Sequence, residues 1–442
     1  MSAVDAICSE FERFAQARPA DEPGWLPTLR KAALARFAEL GFPTPRLEEW
    51  RYTNLAPLAR RSFRLNPPDP RPLTRSMLEA LAFPVFACSV HVFLNGRYVP
   101  ELSSPRRPGG GGVESLAAAL AHAPATVEHA LARTAPPEER ALVALNTAFL
   151  ADGAVVRLPA GRTLEAPIHL VWVSAPDGAP SMSHPRTLVL AEPGSQATLI
   201  EDFVTLGDGE SLTTAVTEVI LAEDARLEHV KLQREGEAAH HLGFLQVRQG
   251  RGSRLVSHSI SFGAALARHE IVTTLDAEGA ECTLCGLYAV TGSQLVDHHT
   301  TVDHARPRGT SRELYKGLLG GRARGVFNGK VIVRPDAQHT DARQTNKNLL
   351  LSEGAEVSSK PELEIAADDV RCSHGSSIGS LEEGALFYLR ARGLDEVDAR
   401  ALLTRAFAAE IVDAIPVEPL RERIHELLLQ RLAGAVPELG AA

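Results

Sequence analysis

"LAEPGSQATLIEDF" (190–203) sets a small turn, Pro193-Gly194-Ser195, between two runs of strand-forming residues. The same texture appears first at "RLPAGRTLEAPIHL" (157–170). It returns at "LAEDARLEHVKL" (221–232), "VRQGRGSRLVSHSI" (247–260), "LDAEGAECTLCGL" (275–287), "LLGGRARGVFNGKV" (318–331), "VRPDAQHTDARQT" (333–345) and "LSEGAEVSSKPEL" (351–363). The spacing is uneven, but many steps fall near about 16 residues or twice that, the signature of stacked structural repeats. A β-sandwich is the alternative and needs turns every ~8–12 residues. The longer period favours a β-helix.

Outside this core the hydrophobic period changes from two to nearly four. In "LPTLRKAALARFAELGFP" (26–43), Leu29, Ala33, Phe37 and Leu40 fall on one helical face, and Gly41 with Pro43 supplies a stop. The region 1–103 therefore reads as helical. Residues 104–153 read as a linker, "SPRRPGGGG" (104–112), and a helical lead-in, "PEERALVALNTAFLADG" (137–153). The β-helix core spans 154–380. After it, "LEEGALFYLRARG" (381–393) is helical and Asp395 can cap a further helix, with Asp398 at its third position. That helix carries Ala399, Leu403, Phe407, Ile411 and Ile415 in a stripe, and the last helix carries Leu420, Ile424, Leu428 and Leu432. Stripes of this kind pack on each other or serve as a docking module for a partner, and 381–442 is assigned as the C-terminal helical region.

Composition narrows the function. The chain has 442 residues, 44% of them hydrophobic and 23% charged, with a formal charge of -9, which argues against a nucleic-acid partner. No apolar run approaches the ~20 residues of a membrane span. "MSAVDAICSEFERF" (1–14) is mixed and acidic, unlike a targeting peptide, and five scattered cysteines form no disulfide framework. A reduced, cytoplasmic protein is expected.

Chemistry concentrates in "VRCSHGSSIG" (370–379). On a strand, Cys372 and His374 project from one face and Ser373 from the other. A nucleophile–base pair would need an orienting group and an oxyanion site, which no motif supplies. Thiol and imidazole suit iron or zinc, yet two ligands do not complete a four-coordinate site. A buried thiol beside a satisfied histidine remains the plainer alternative. "CTLC" (282–285) reads as strand, so Cys282 and Cys285 diverge to opposite faces and are expected to be structural. In "VDHHTTVDH" (296–304), His298 and His304 share a face with Thr300 and Val302, while His299 joins Asp297, Thr301 and Asp303; a polar ladder is expected there rather than a metal. The stretch from Arg312 to Arg334 carries Lys316, Arg322, Arg324 and Lys330; its "GLLGGRARG" (317–325) lacks phosphate-loop spacing, and the stretch reads as a solvated basic rim.

"SRELYKGLL" (311–319), residues 327–365, "RCSHGSSIGSLEEGALFYLRARG" (371–393) and "LEEWRYTNL" (47–55) closely resemble the SufB/SufD family, the scaffold subunits of the SUF iron–sulfur cluster assembly system. Within it the resemblance is to the SufD branch, because the first third holds only Cys8 and Cys88 and no cysteine-rich motif. The resemblance implies a right-handed parallel β-helix flanked by N-terminal and C-terminal α-helical regions. It implies pairing with a SufB-like paralogue through the end of the β-helix, where the CSHG histidine, here His374, lies near a paralogue cysteine at a nascent iron or cluster site. Cys372 beside it is a second candidate ligand. It also implies docking of a SufC-like ABC ATPase on the C-terminal helices, a reduced flavin in the whole complex, and a homodimer when the chain is isolated. The chain itself displays no Walker motif and no flavin fingerprint, so its ATP dependence would be borrowed from the partner, and the resemblance implies a scaffold rather than an enzyme. Two other classes compete: a β-helix enzyme acting on polysaccharide, which would show clustered carboxylates, and a stand-alone metal-binding protein.

Overall fold

The computed structural model describes residues 3–18, 22–66, 73–81, 88–105, 111–176 and 178–433. Two parallel sheets form its core, and successive strands alternate between them, which makes a parallel β-helix. The first sheet runs through Ala154–Leu158, Arg186–Ala191, Ser211–Leu221, Ala239–Gln249, Leu266–Leu275, Leu295–His304, Arg324–Val333 and Glu356–Ile365. The second runs through Ser89–Leu94, Ile168–Ser174, Gln196–Thr205, Arg226–Gln233, Arg254–Ser261, Glu281–Val290, Thr310–Leu319, Asp341–Leu350 and Arg371–Gly379. Leu266, Leu295 and Arg324 stand one above another, 29 residues apart, so the repeat legible in the sequence is one half-turn and its double is the full turn.

The small residue in each turn has a conformational reason. Gly194, Gly252, Gly279 and Gly321 all have φ between 62° and 71°, the left-handed region that a Cβ disfavours. Asp224, Arg308 and His339 take the same role with φ of 57°, 60° and 62°, which explains why the turns look irregular in sequence.

Three strands fall inside the region expected to be helical, the first of them the short Arg64–Leu65, which pairs parallel with Ser181–Ser183. Ser89–Leu94 carries the strand formers Val90, Val92 and Phe93 and adds to the second sheet beside Ile168–Ser174. Asn95-Gly96, with φ of 50° and 81°, then turns the chain into Arg97–Tyr98 antiparallel to it. Helices Ala3–Gln16 and Trp25–Leu40 do form, the second ending at Gly41, but Leu40 is exposed and Leu26, Arg30, Ala33 and Phe37 make its buried face. Residues 106–110 of the expected linker lie outside the described residues, while Gly112–Ser115 pairs antiparallel with Ala154–Leu158. The expected lead-in helix is Ala141–Ala148.

At the other end, Asp395 caps the helix Glu396–Val412, its side chain accepting from the Asp398 N–H at 2.8 Å. Ile411, Val412, Ile415, Leu420, Ile424 and Leu428 are fully buried against Ile200, Val230, Leu232, Ile260, Leu287 and Leu318 on the outer face of the second sheet. Each such side chain contributes about 1.5–3 kcal/mol. The stripes of Glu396–Val412 and Glu418–Ala433 are thus buried within the chain, and are not free for a partner. Lys316, expected in a solvated rim, is buried: its ammonium donates to the Phe407 carbonyl at 2.8 Å and pairs with Glu410 at 2.6 Å, fastening the first of these helices.

Candidate functional site at the open end of the β-helix

In a β-helix, alternate residues of every strand face the lumen, and register stacks them into columns. Two columns of the second sheet matter. One runs Cys282, Ser311, Ala342, Cys372; the other runs Leu284, Glu313, Gln344, His374. Ala342 and Gln344 are buried, so Cys372 and His374 are the outermost members of two lumen columns, on the last strand, Arg371–Gly379. Their sharing of one face, read from the sequence, follows directly.

Among the described residues this strand pairs only with Asp341–Leu350, and Glu356–Ile365 pairs only with Arg324–Val333. Each has an unpaired edge, which is an adhesive feature. His374 is exposed; Cys372 is half-buried among Val331, Ala342 and Leu363, and burial pushes its thiol up. A metal taking this sulfur must displace its proton. Among the described residues no group of three or more His, Cys, Asp or Glu side chains stands together as a metal set.

Beneath the mouth the lumen is polar. One ladder runs from Tyr288, which donates to Asn348, through Asn346 to Ser359, which donates to Asn346 at 2.8 Å, and to Ser376, which donates to Ser359 at 2.8 Å on the last strand. The other runs from Thr300 to Glu313 to Gln344, with hydrogen bonds of 2.7 and 3.3 Å onto one carboxylate oxygen. A Cβ at Gly329 would collide with the Gln344 amide, so glycine there makes room for it. Sequence reasoning missed Glu313, Gln344 and Tyr288. The available signal was their place on the inward face of strands already recognised as repeats.

The other candidates resolve as packing. Cys282 faces the lumen and Cys285 the covering helices; burial pushes both thiols up, Cys285 to about 12. His298 and His304 face inward with Thr300 and Val302 as expected, and burial pushes their imidazoles down to about 3 and about 4. Asp297 lies on the opposite face. Burial opposes its ionisation, yet Arg268 and His299 hold it well below the usual carboxylate range. This corner is closed by "LEEWRYTNL" (47–55): Thr53 donates to Asp297 at 2.5 Å, and Arg268 lies 4.0 Å from the Trp50 ring centroid. A cavity of about 130 Å³ beside Trp50 and Phe244 also holds Arg140, but Glu270 pairs with that guanidinium at 2.9 Å.

Comparison with known proteins gives two family matches. Residues 173–407 match the SufBD core domain of SUF system FeS cluster assembly, and residues 6–170 match the SufBD protein N-terminal region. An iron–sulfur cluster assembly SufBD family protein of Synechocystis is 35% identical over 90% of this chain and 89% of its own length. The iron–sulfur cluster assembly protein SufD of Escherichia coli is 31% identical over 91% and 92%, and that of Bacillus subtilis 24% over 93% and 95%.

Proposed function

This chain belongs to the SufBD family of iron–sulfur cluster assembly proteins, and we propose that it is a non-catalytic scaffold subunit whose open β-helix end forms half of an assembly site. The carrying observation is that Cys372 and His374 end two lumen columns on a strand with a free edge. Iron or a nascent cluster is cargo here, held by His374 and Cys372 together with ligands from a SufB-like paralogue. That paralogue would continue the two sheets across the edges of Glu356–Ile365 and Arg371–Gly379, by the strand addition that exposed sheet edges favour.

A SufC-like ABC ATPase would dock on the C-terminal helical region. Since the apolar stripes there are buried, docking uses what remains exposed: Phe387 (75%), Tyr388 (55%), Val397 (56%) and Leu402 (47%). ATP hydrolysis belongs to that partner, and a reduced flavin to the assembled complex. The chain works in the cytoplasm, a reading supported by five free cysteines; no described helix is long and apolar enough to cross a membrane.

The test is the iron and sulfide content of the complex purified from its native host, carrying wild-type chain or His374→Ala at matched subunit ratios. Neutral imidazole is a good iron ligand, and alanine removes it without adding charge. The variant complex should assemble normally and hold several-fold less iron and sulfide. Wild-type content would reject the site.

A further inference from the structure

Glu313 is the one feature of the column beneath His374 that packing does not explain. It is 4% exposed, and no cation pairs with it among the described residues. Its Oε2 accepts from Thr300 and from the Gln344 amide, while its Oε1 is buried without a hydrogen-bond partner. The Gln344 Oε1 is a second buried acceptor without a donor. Two orphaned acceptors on side chains that already share one hydrogen bond lack a single proton. Placed on the Glu313 carboxyl, that proton can be donated to the Gln344 carbonyl, closing an acid–amide ring and satisfying both oxygens.

The titratable groups facing Glu313 do not replace it. Tyr315 lies on its own strand, and Cys282 on Glu281–Val290 below; both resist ionisation by burial. His298 and His304 face it from Leu295–His304 and are pushed towards the neutral form by burial. Asp341–Leu350 and Arg324–Val333 present the uncharged Gln344, Asn346, Phe327 and Gly329. Burial accordingly pushes the Glu313 carboxyl up to about 7, against the hydrogen bonds from Thr300 and Gln344.

We propose that Glu313, paired with Gln344, is a protonable counter-charge to the open end of the β-helix: part-protonated in the empty chain near neutral pH, it gives up its proton to solvent when a cation is held at His374. This rests on the cluster-site reading above. Glu313 is a positioning residue, because it stands two ladder steps, about 9.5 Å, beneath His374 and does not touch the metal. At that distance, with two positive charges on ferrous iron and an effective dielectric of about 50 at a mouth open to solvent, between the ~20 of a protein surface and the ~80 of water, a carboxylate changes affinity by roughly ten-fold. The step is an acid dissociation, carboxylic acid to carboxylate plus a proton, with no redox change.

The experiment adds ferrous iron alone, without oxygen, to the native complex carrying wild-type chain, Glu313→Gln or His374→Ala. Calorimetry in two buffers of different ionisation enthalpy reads affinity and protons released; infrared reads the carboxylic acid band. Glutamine keeps the shape and can donate to the Gln344 carbonyl. Wild type should release about half a proton more per iron than Glu313→Gln at about pH 6.5–7. Near pH 8 it should bind iron roughly ten-fold tighter, with the two converging at about pH 5–6, where both side chains are neutral. The acid band should fall on iron addition to wild type, a readout that needs no variant. If His374→Ala binds iron as wild type does, the site reading falls and this proposal with it. If His374→Ala loses iron while Glu313→Gln matches wild type in protons and pH profile, or the acid band does not move, this proposal alone is overturned.

Discussion

The strands Glu281–Val290 and Arg371–Gly379 occupy equivalent places in the same sheet, and Cys282 and Cys372 share one lumen column. Around Cys282 every neighbouring position is filled, so the thiol is one more small apolar group in the core. Around Cys372 the stack stops. Among the described residues no strand pairs with the outward edge, His374 stands exposed two residues on, and a polar ladder comes up from below. The difference lies in whether another turn of β-helix follows. In a solenoid, reactivity is therefore set by height in the stack more than by residue type, and the last turn is where a shared site has room to exist.

The sharpest way to break this comparison is to delete side chains at two heights of one column. Leu284→Ala empties a fully buried site with neighbouring rungs above and below, and should destabilise the chain by about 2–5 kcal/mol. His374→Ala, three positions higher in the same column, should change stability by less than about 0.5 kcal/mol, because its side chain is exposed. Chemical denaturation of both variants measures the contrast. Equal losses would mean that the last strand is as tightly held as the interior.

A smaller effect tests the outer face. Lys316 and Lys347 are in register on adjacent strands, but Lys316 hydrogen-bonds the first covering helix while Lys347 acts on its Glu410 only through charge. Lys316→Ala removes a charged hydrogen bond to the Phe407 carbonyl and the pair with Glu410, at a cost of about 1.5–3 kcal/mol. Hydrogen exchange should then quicken along Glu396–Val412. Lys347 is exposed, and Lys347→Ala should stay within about 0.5 kcal/mol. Unchanged exchange in Lys316→Ala would show that the apolar stripe alone fixes the helix.

What the sequence made legible follows the same gradient of height and layer. The repeat, its turns and the caps of the long helices are local: Gly194, Gly252, Gly279 and Asp395 announce themselves in a few residues. The shared face of Cys372 and His374 needed only the strand period. The strand Ser89–Leu94 was hidden because its partner, Ile168–Ser174, is far along the chain. Lys316 was misread because burial by a helix some 91 residues later leaves no local trace. Glu313 and Gln344 were missed for a related reason. They are adjacent only through ladder register, about 31 residues apart, and no motif of short spacing joins them.

The mildest test leaves the sequence intact and asks the thiols themselves. Alkylation requires both thiolate and access. Cys282 has neither, since burial pushes its thiol far up and closes its surroundings, and Cys285 lies under the C-terminal helices. Cys372 is half-buried at an open edge, and burial, with the Asp341 charge, pushes its thiol up. Exposing the isolated native chain to iodoacetamide, with mass spectrometry of the peptides over time, should therefore modify Cys372 well before Cys282. Cys282 and Cys285 should react together, at the rate of global unfolding. Cys372 should react more slowly than a free peptide thiol, because part of its surface is covered by Leu363 and Ala342. In the complex its modification should slow again, since the proposed partner lies over the same edge. Prompt labelling of Cys282 in the folded chain would mean that the lumen opens along its length, and would erase the distinction between the two strands.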